Sequence, residues 1–505
     1  MAYAEDDKKK VKRGVIITLI GKVAEMSQGV YLFLARYLFG GEAFGLFVIG
    51  FNVMELLARF LSGGFGDAAT FYSAKYIGNE EDSDEENLYS CLNTVIWFPV
   101  FLSLLMSVGI YFLIDPIYDW IWSQHDVQLK SMLRLYAWVL PLIVLVKVPL
   151  QAIKGHMEMA WPVAIENTAI PLLHLGTTAI FFLLGTGAEG LVYSSLLSYA
   201  ILVPFSWYAF SRYFSMVKLF KNISISRETL SFSIPQSFNM MMNFGLVKVD
   251  GIMLSAFLGA NQVGVYTLVA ELFRSIRSAK TSFSSVFAPL VAKYKKQNNR
   301  RGIEESLWSI SNSTAMFSIP LFAVIQFFFF DIVNGPGSIW TYSLLIPWLL
   351  AIGPMMSCFF GLSGNILLMT GHTKLLLVNS MSLMGVNVFL NYLLIPPLGM
   401  LGAALATAIS GLGISITQVI QLKKVENIGF DYKSHVMIFI KSLPVLLGVV
   451  WVQSSYYLEM VEAYSPMVRL LIKGALLVLI FLFCVYFLLP QSFKNKIFKR
   501  NKLAP

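Results

Sequence analysis

Hydrophobic residues along this chain gather into long runs, and polar residues are mostly confined to short segments between them. Fourteen runs can be marked, at 14–39, 43–65, 89–114, 132–153, 160–184, 188–210, 229–258, 263–289, 306–330, 340–367, 375–396, 400–421, 434–453 and 468–489. Each is about as long as a helix must be to cross a hydrocarbon core of roughly 30 Å, close to 20 residues at about 1.5 Å per residue. A segment inside lipid has to satisfy its backbone hydrogen bonds internally, so runs of this kind predict helices. The expectation is an all-α integral membrane protein of about fourteen transmembrane helices. The first run is too long for a signal-peptide core and lacks a small-x-small cleavage pattern, so it is expected to be retained.

The small and polar residues that punctuate the runs recur. Gly40, Gly45 and Phe47 reappear 219 positions later as Gly259, Gly264 and Tyr266, and Lys75-Tyr76 reappear after 218 as Lys293-Tyr294. A second set, Asn167, Gly187, Gly190 and Ser198, returns after 212 as Asn379, Gly399, Gly402 and Ser410. Six runs separate the copies. That even number keeps both halves in the same orientation, as two six-helix lobes related by a pseudo-two-fold axis along the membrane normal. The expected domains are an N-lobe at 1–210 (runs 1–6), a cytoplasmic inter-lobe linker at 211–227 and a C-lobe at 228–424 (runs 7–12). Residues 425–505 then carry runs 13 and 14 and a basic cytoplasmic tail. The Gly-x-x-Gly turns at 187/190 and 399/402 are expected to be tight hairpins.

Composition agrees with this class: the 505 residues are 56% hydrophobic and only 13% charged, with a mean hydropathy of +0.67. The net charge of +9 does not indicate nucleic acid, because its placement follows the membrane topology. An even number of spans puts both termini on one side. That side collects Lys8–Lys10, Arg212, Lys218, Lys221, Arg227, Lys295, Lys296, Arg300, Arg301, Lys423, Lys424 and the tail lysines. The opposite loops hold Asp115, Asp119, Asp126, Glu189, Asp331, Glu459 and Glu462 beside Lys130 and Arg134. This positive-inside pattern predicts a multi-pass protein of the inner or plasma membrane with both termini cytoplasmic. The acidic run Glu80–Glu86 is expected to be a solvated turn. Cys91, Cys358 and Cys484 fall within runs and the five histidines lack ligand spacing, so neither a disulfide framework nor a metal site is expected.

Ionisable residues inside the runs carry the candidate chemistry. Run 1 holds Lys22, Glu25 and Arg36, which fall within about 60° of one another on a helical wheel. Run 2 holds Glu55 and Arg59 one turn apart, able to pair. Runs 4 and 5 add Lys147, Glu166 and His174, run 7 adds Lys248 and Asp250, and run 8 adds Glu271, Arg274 and Arg277. Each charge costs about 3 kcal/mol at mid-bilayer, so ten facing lipid would cost about 30 kcal/mol; they are expected to line a shared, hydrated interior. Runs 9–14 hold almost none, which places the charged cavity on runs 1, 2, 7 and 8. The 219-residue offset sets Glu55 against Arg274, opposite charges at equivalent points. Glu55/Arg59 and Glu271/Arg274 also read as structural pairs. Lys248 and Asp250, two residues apart, point to opposite faces, and His174 reads as a hydrogen-bonded interior histidine. Asn379, Asn387 and Asn391 are expected to join helices.

Several short motifs, in this order and spacing, resemble the polysaccharide-transporter branch of the multidrug/oligosaccharidyl-lipid/polysaccharide exporter superfamily. They are Ala35-Arg36 followed by Phe44-Gly45-Leu46-Phe47, Ser233-Ile234-Pro235, Val249-Asp250 before Leu258-Gly259, and Ala288-Pro289. Asn391-Tyr392 through Pro396 then leads to Gly399-x-x-Gly402 and Thr407. The resemblance implies two six-helix lobes around a cationic cavity that opens alternately to each side. It also implies arginines on the early helices of each lobe that engage a polyprenyl pyrophosphate, carried here onto Arg36, Arg59, Arg274 and Arg277. The extra pair of runs 13 and 14 resembles the lipid-tail groove helices of the lipid II flippase.

The expected function is therefore a flippase for a polyprenyl-pyrophosphate-linked oligosaccharide, a polysaccharide or O-antigen precursor, and not an enzyme. Lys22, Arg36, Arg59, Lys147, Lys248, Arg274 and Arg277 would bind substrate. Glu25, Glu55, Glu166, Asp250 and Glu271 would couple to an ion or gate. No cofactor is expected beyond a coupling cation, Na+ or H+. Expected partners are the lipid-linked glycan, membrane lipids and polysaccharide polymerases or glycosyltransferases, with no nucleic acid. A cation-coupled multidrug exporter and a lipid II flippase stay open as alternatives. A membrane glycosyltransferase is disfavoured, because the outer stretch 115–131 carries Asp115, Asp119 and Asp126 without a partner motif.

Overall fold

The computed structural model describes residues 27–452 apart from 77–81, 122–126, 157, 222–224, 278–279, 281–293, 295–298, 334–341, 361 and 371. Lys22, Glu25 and the run at 468–489 lie outside the described residues. In chain order the helices are α1 (Ser27–Phe39), α2 (Gly41–Tyr76), α3 (Asp82–Ile121), α4 (Val127–Ala137) and α5 (Val139–Lys154). A short turn, Ala160–Pro162, then enters a π-helical segment, Val163–Ala169, that continues as α6 (Ile170–Leu183), followed by α7 (Glu189–Ser211), α8 (Met216–Lys221), α9 (Arg227–Phe257) and α10 (Ala260–Arg274). The remainder comprises α11 (Arg300–Phe327), α12 (Phe329–Val333), α13 (Leu345–Phe359), α14 (Ser363–Met369), α15 (Thr373–Leu398), α16 (Met400–Val425) and α17 (Tyr432–Val452).

The chain is all-α, and eight helices among the described residues are long and apolar enough to cross a membrane. They coincide with runs 2, 3, 4, 6, 9, 11, 12 and 13, while Gly29–Phe39 and Leu345–Phe359 are shorter apolar helices. Several helices outlast the apolar run that announced them. Helix α2 continues through Asp67, Thr70 and Lys75 to Tyr76, because helical hydrogen bonding does not end where hydrophobicity does. The 211–227 segment contains the short helix α8 and is tied back to α3. There Lys218 pairs with Glu85, and Ser215 N donates to the Tyr89 hydroxyl at 2.8 Å.

Contacts divide the chain into one unit of residues 1–268 with 388–403 and a second of 269–387 with 404–505. In the first, α2 runs beside α9, with α5 and α7 packed behind. Small residues allow that approach. A Cβ on Gly64 would lie 2.2 Å from Ser237 N and 2.4 Å from Ser233 O, and one on Gly45 would lie 1.8 Å from the Ala260 carbonyl oxygen. Gly264, the repeat counterpart of Gly45, would bring its own Cβ to 3.0 Å from Gly45 Cα. Equivalent residues in contact are what a two-fold relation produces at its axis. The hairpin glycines Gly187 and Gly399, also repeat counterparts, both adopt positive φ, 63° and 57°.

Apolar cores hold the described residues of the second unit together. One gathers Ala315, Ile319, Ala323, Phe359, Ile438, Val445 and Val449 from α11, α13 and α17. Another centres on Ile303, Leu307, Leu362, Ile366, Leu422 and Ile428. Asn379 on α15 and Gln421 on α16 exchange two amide hydrogen bonds of 2.6 and 2.8 Å, a polar join between helices. Asn379→Leu strands the Gln421 amide and is expected to cost about 1–2 kcal/mol. Asn379→Leu/Gln421→Leu should recover most of it, as thermal melts of the four proteins in a double-mutant cycle would register.

Candidate functional site

Helix α2 carries Glu55 and Arg59 on adjacent turns, 3.7 Å apart. The Arg59 guanidinium lies 5.0 Å from the centre of the Phe244 ring on α9. Lys248, one turn along α9, stands 5.8 Å from both that ring and the ring of Phe51 on α2. Two cations therefore stand within reach of one aromatic ring, whose quadrupole offsets part of the desolvation cost. On α5, Lys147 lies within Coulombic range of Glu55, Arg59, Lys154 and Glu166. Glu166 is carried by the π-helical segment, which begins directly after Pro162 and adds a residue to the turn. Its carboxylate accepts from Gln151 at 3.1 Å and pairs with Lys154 at 3.5 Å.

The first unit thus joins Arg59, Lys147, Lys154 and Lys248 with Glu55 and Glu166, more cations than carboxylates. Lys154 was not among the sequence candidates, since it sits just past the end of its run. Arg36 closes α1, with its carbonyl accepting from Gly40 N at 3.0 Å. A second polar contact missing from the sequence reading is Asp67 with Gln236, 2.8 Å across the α2–α9 seam.

Asp250 faces away from Lys248, as their two-residue spacing implies. Its carboxylate accepts from Asn391 Nδ2 at 2.8 Å and from the Tyr266 hydroxyl at 3.3 Å, and the side chain is buried. His174 is an interior histidine: its ring lies 5.3 Å from Tyr31 and 5.6 Å from Tyr199, beside the hydroxyl cluster of Thr177, Thr178, Ser194 and Ser198. In the second unit Glu271 and Arg274 form an ion pair one turn apart. Arg277 follows Arg274 by three residues. Among the described residues no group of three or more His, Cys, Asp or Glu side chains is arranged to hold a metal ion.

Residues 11–295, more than half the chain, match the family described as polysaccharide biosynthesis protein. An uncharacterized membrane protein of Methanocaldococcus jannaschii is 23% identical over 79% of this chain and 94% of its own length. Among solved structures, the lipid II flippase MurJ in an inward closed conformation superposes with a TM-score of 0.69 at 17% identity, covering 96% of this chain and all of that one. An inward-facing multidrug resistance MATE family transporter of the MOP superfamily gives 0.66 at 15% identity, over 80% of this chain and 96% of that one. The two-lobe helical fold is thus that of flippases and transporters. By the match over residues 11–295, the chain belongs to the polysaccharide biosynthesis protein family, and its fold is the one seen in MurJ and the MATE transporter.

Proposed function

We propose that this membrane transporter is a flippase that moves a polyprenyl-pyrophosphate-linked oligosaccharide from the inner to the outer leaflet by alternating access. The observation that carries this reading is the surplus of cations over carboxylates around Arg59, Lys147 and Lys248 in a member of a polysaccharide biosynthesis family. Arg59, Lys147, Lys248, Arg274 and Arg277, with Lys22 and Arg36, would receive the pyrophosphate, while the prenyl tail stays in lipid. The lobes 1–210 and 228–424, the linker 211–227 and the appended segment 425–505 are kept as a proposal from the internal repeat. So are the cytoplasmic termini, in an inner or plasma membrane, from the basic loops.

A substrate drives rocking only through differential affinity for the two states, so an ion or the membrane potential must bias the cycle. Asp250, held by Asn391 and Tyr266, is the carboxylate placed to take a Na+ or H+. Glu25, Glu55, Glu166 and Glu271 are the other coupling candidates. Asp250→Asn should leave substrate binding intact and reduce transport at least tenfold, with the residual rate no longer responding to the sodium or proton gradient in proteoliposomes. A mutant that still responds would remove Asp250 from the coupling role. Cation-coupled drug export is the rival reading, because the MATE superposition is nearly as good as that with MurJ. Deleting the gene and assaying surface glycan and lipid-linked precursors separates them. Inner-leaflet precursor accumulation, rescued by wild type and not by Arg36→Ala, Arg274→Ala or Arg277→Ala, supports the flippase. Normal glycan with altered drug susceptibility supports the exporter.

A further inference from the structure

We infer that Arg277 and Lys280 form a phosphate-binding cation pair in the second unit, with Lys280 as a substrate contact beyond the arginines; this rests on the flippase reading. Lys280 follows Arg277 by three residues and lies within Coulombic range of it. The Lys280 ammonium donates to Ser357 Oγ on α13 at 3.0 Å. Arg277 Nε is buried and has no hydrogen-bond partner among the described residues. A Cβ placed on Gly353, one turn before Ser357 on α13, would lie 4.0 Å from Arg277 Nη2. Helix α13 therefore meets the two cations with a glycine and a serine, and supplies no charge.

Among the described residues no carboxylate pairs with either of them. Between Glu271 and Glu304 the sequence contains no acidic residue. The acids of this unit whose partners are defined are engaged elsewhere: Glu271 with Arg274, Glu304 with Gly429 N, Glu305 with Arg301, Glu426 with His372 and Asp431 with Ser434 N. Several other cations do have a carboxylate partner. Arg59 has Glu55, Lys154 has Glu166, and Arg274 has Glu271.

Two like charges kept together, half-buried, without a carboxylate are tolerated when a ligand completes the site. An arginine fork beside a compact ammonium fits the oxygens of a phosphate or pyrophosphate. Ser357 holds the ammonium in place for that anion.

The test uses the full chain in detergent, with affinity measured for a micellar polyprenyl pyrophosphate and for inorganic pyrophosphate, alongside thermal melts of the ligand-free protein. Lys280→Met should weaken the lipid pyrophosphate at least tenfold, because it deletes a buried charge contact to the anion. It should leave the ligand-free midpoint unchanged or higher, because it also removes a repulsive charge. Lys280→Arg should bind within about threefold of wild type. A Lys280→Met protein that binds like wild type overturns the inference and leaves the flippase reading standing. A lower ligand-free midpoint, or failure to fold, makes Lys280 a structural anchor and overturns it as well. Wild type binding inorganic pyrophosphate as tightly as the lipid would keep the cation pair and sink the lipid-linked cargo. Wild type binding neither probe would sink both.

Discussion

Gly45→Leu is expected to eliminate the folded protein. The added Cβ alone would stand 1.8 Å from the Ala260 carbonyl oxygen and 2.2 Å from its carbonyl carbon, and both are backbone atoms that no rotamer change can move. Overpacking in a well-filled core costs about 1–3 kcal/mol when side chains can shift. Here α2 and the start of α10 would have to separate, so the cost should exceed that range. Gly264 presses back on Gly45 from the other repeat, so relief on one side tightens the other. Fluorescence-detected size exclusion should show aggregated or absent protein for Gly45→Leu, and for Gly45→Ala a midpoint lowered by several degrees. Monodisperse Gly45→Leu with the wild-type midpoint would mean that the two glycines are not in contact.

Arg59→Ala should reduce transport by more than a hundredfold if the pyrophosphate docks on it, since a charge-assisted guanidinium–phosphate contact is among the strongest available to a binding site. Loss of activity alone does not separate cargo binding from pairing, because the substitution also strands the Glu55 carboxylate. Glu55→Gln/Arg59→Ala makes that separation. If Arg59 serves mainly to neutralise Glu55, the double substitution restores transport to within a few fold of wild type. If Arg59 grips the cargo, transport stays lost and only stability returns. The Arg59 side chain is 44% exposed, so its pair with Glu55 is solvent-screened and contributes little by itself. That exposure favours the cargo role, and transport in proteoliposomes decides between the two.

Much of the architecture was legible in the runs. The positions of α2, α3, α7, α11, α15, α16 and α17 follow from hydrophobicity alone, because lipid and apolar side chains select for the same pattern along the whole length of a span. Helix lengths were less legible. Asp67, Thr70 and Lys75 belong to the same helix as Phe47 although they lie beyond its apolar part. The repeat was legible as matched glycines, but their meaning was not: that Gly45 and Gly264 touch requires both chain segments to be in place. Among the charges, the i,i+4 and i,i+3 pairs Glu55/Arg59 and Glu271/Arg274 could be foreseen from helical spacing. Lys154 with Glu166 across a π-helical turn, and Asp250 with Asn391 141 positions away, could not. Lys280 lay within the marked run at 263–289 and was passed over beside its arginine neighbours.

The sequence by itself determined the solvent of this protein, its helical class, its two-fold repeat and the inventory of charges it must shelter, because each depends on composition and period along one chain. Tertiary structure decided which of those charges meet a partner on another helix. Helix spacing fixes partners only one turn away, whereas charges on different helices meet through packing. That packing depends on where glycine and serine allow backbones to approach, as Gly64 does at Ser233 and Gly45 at Ala260.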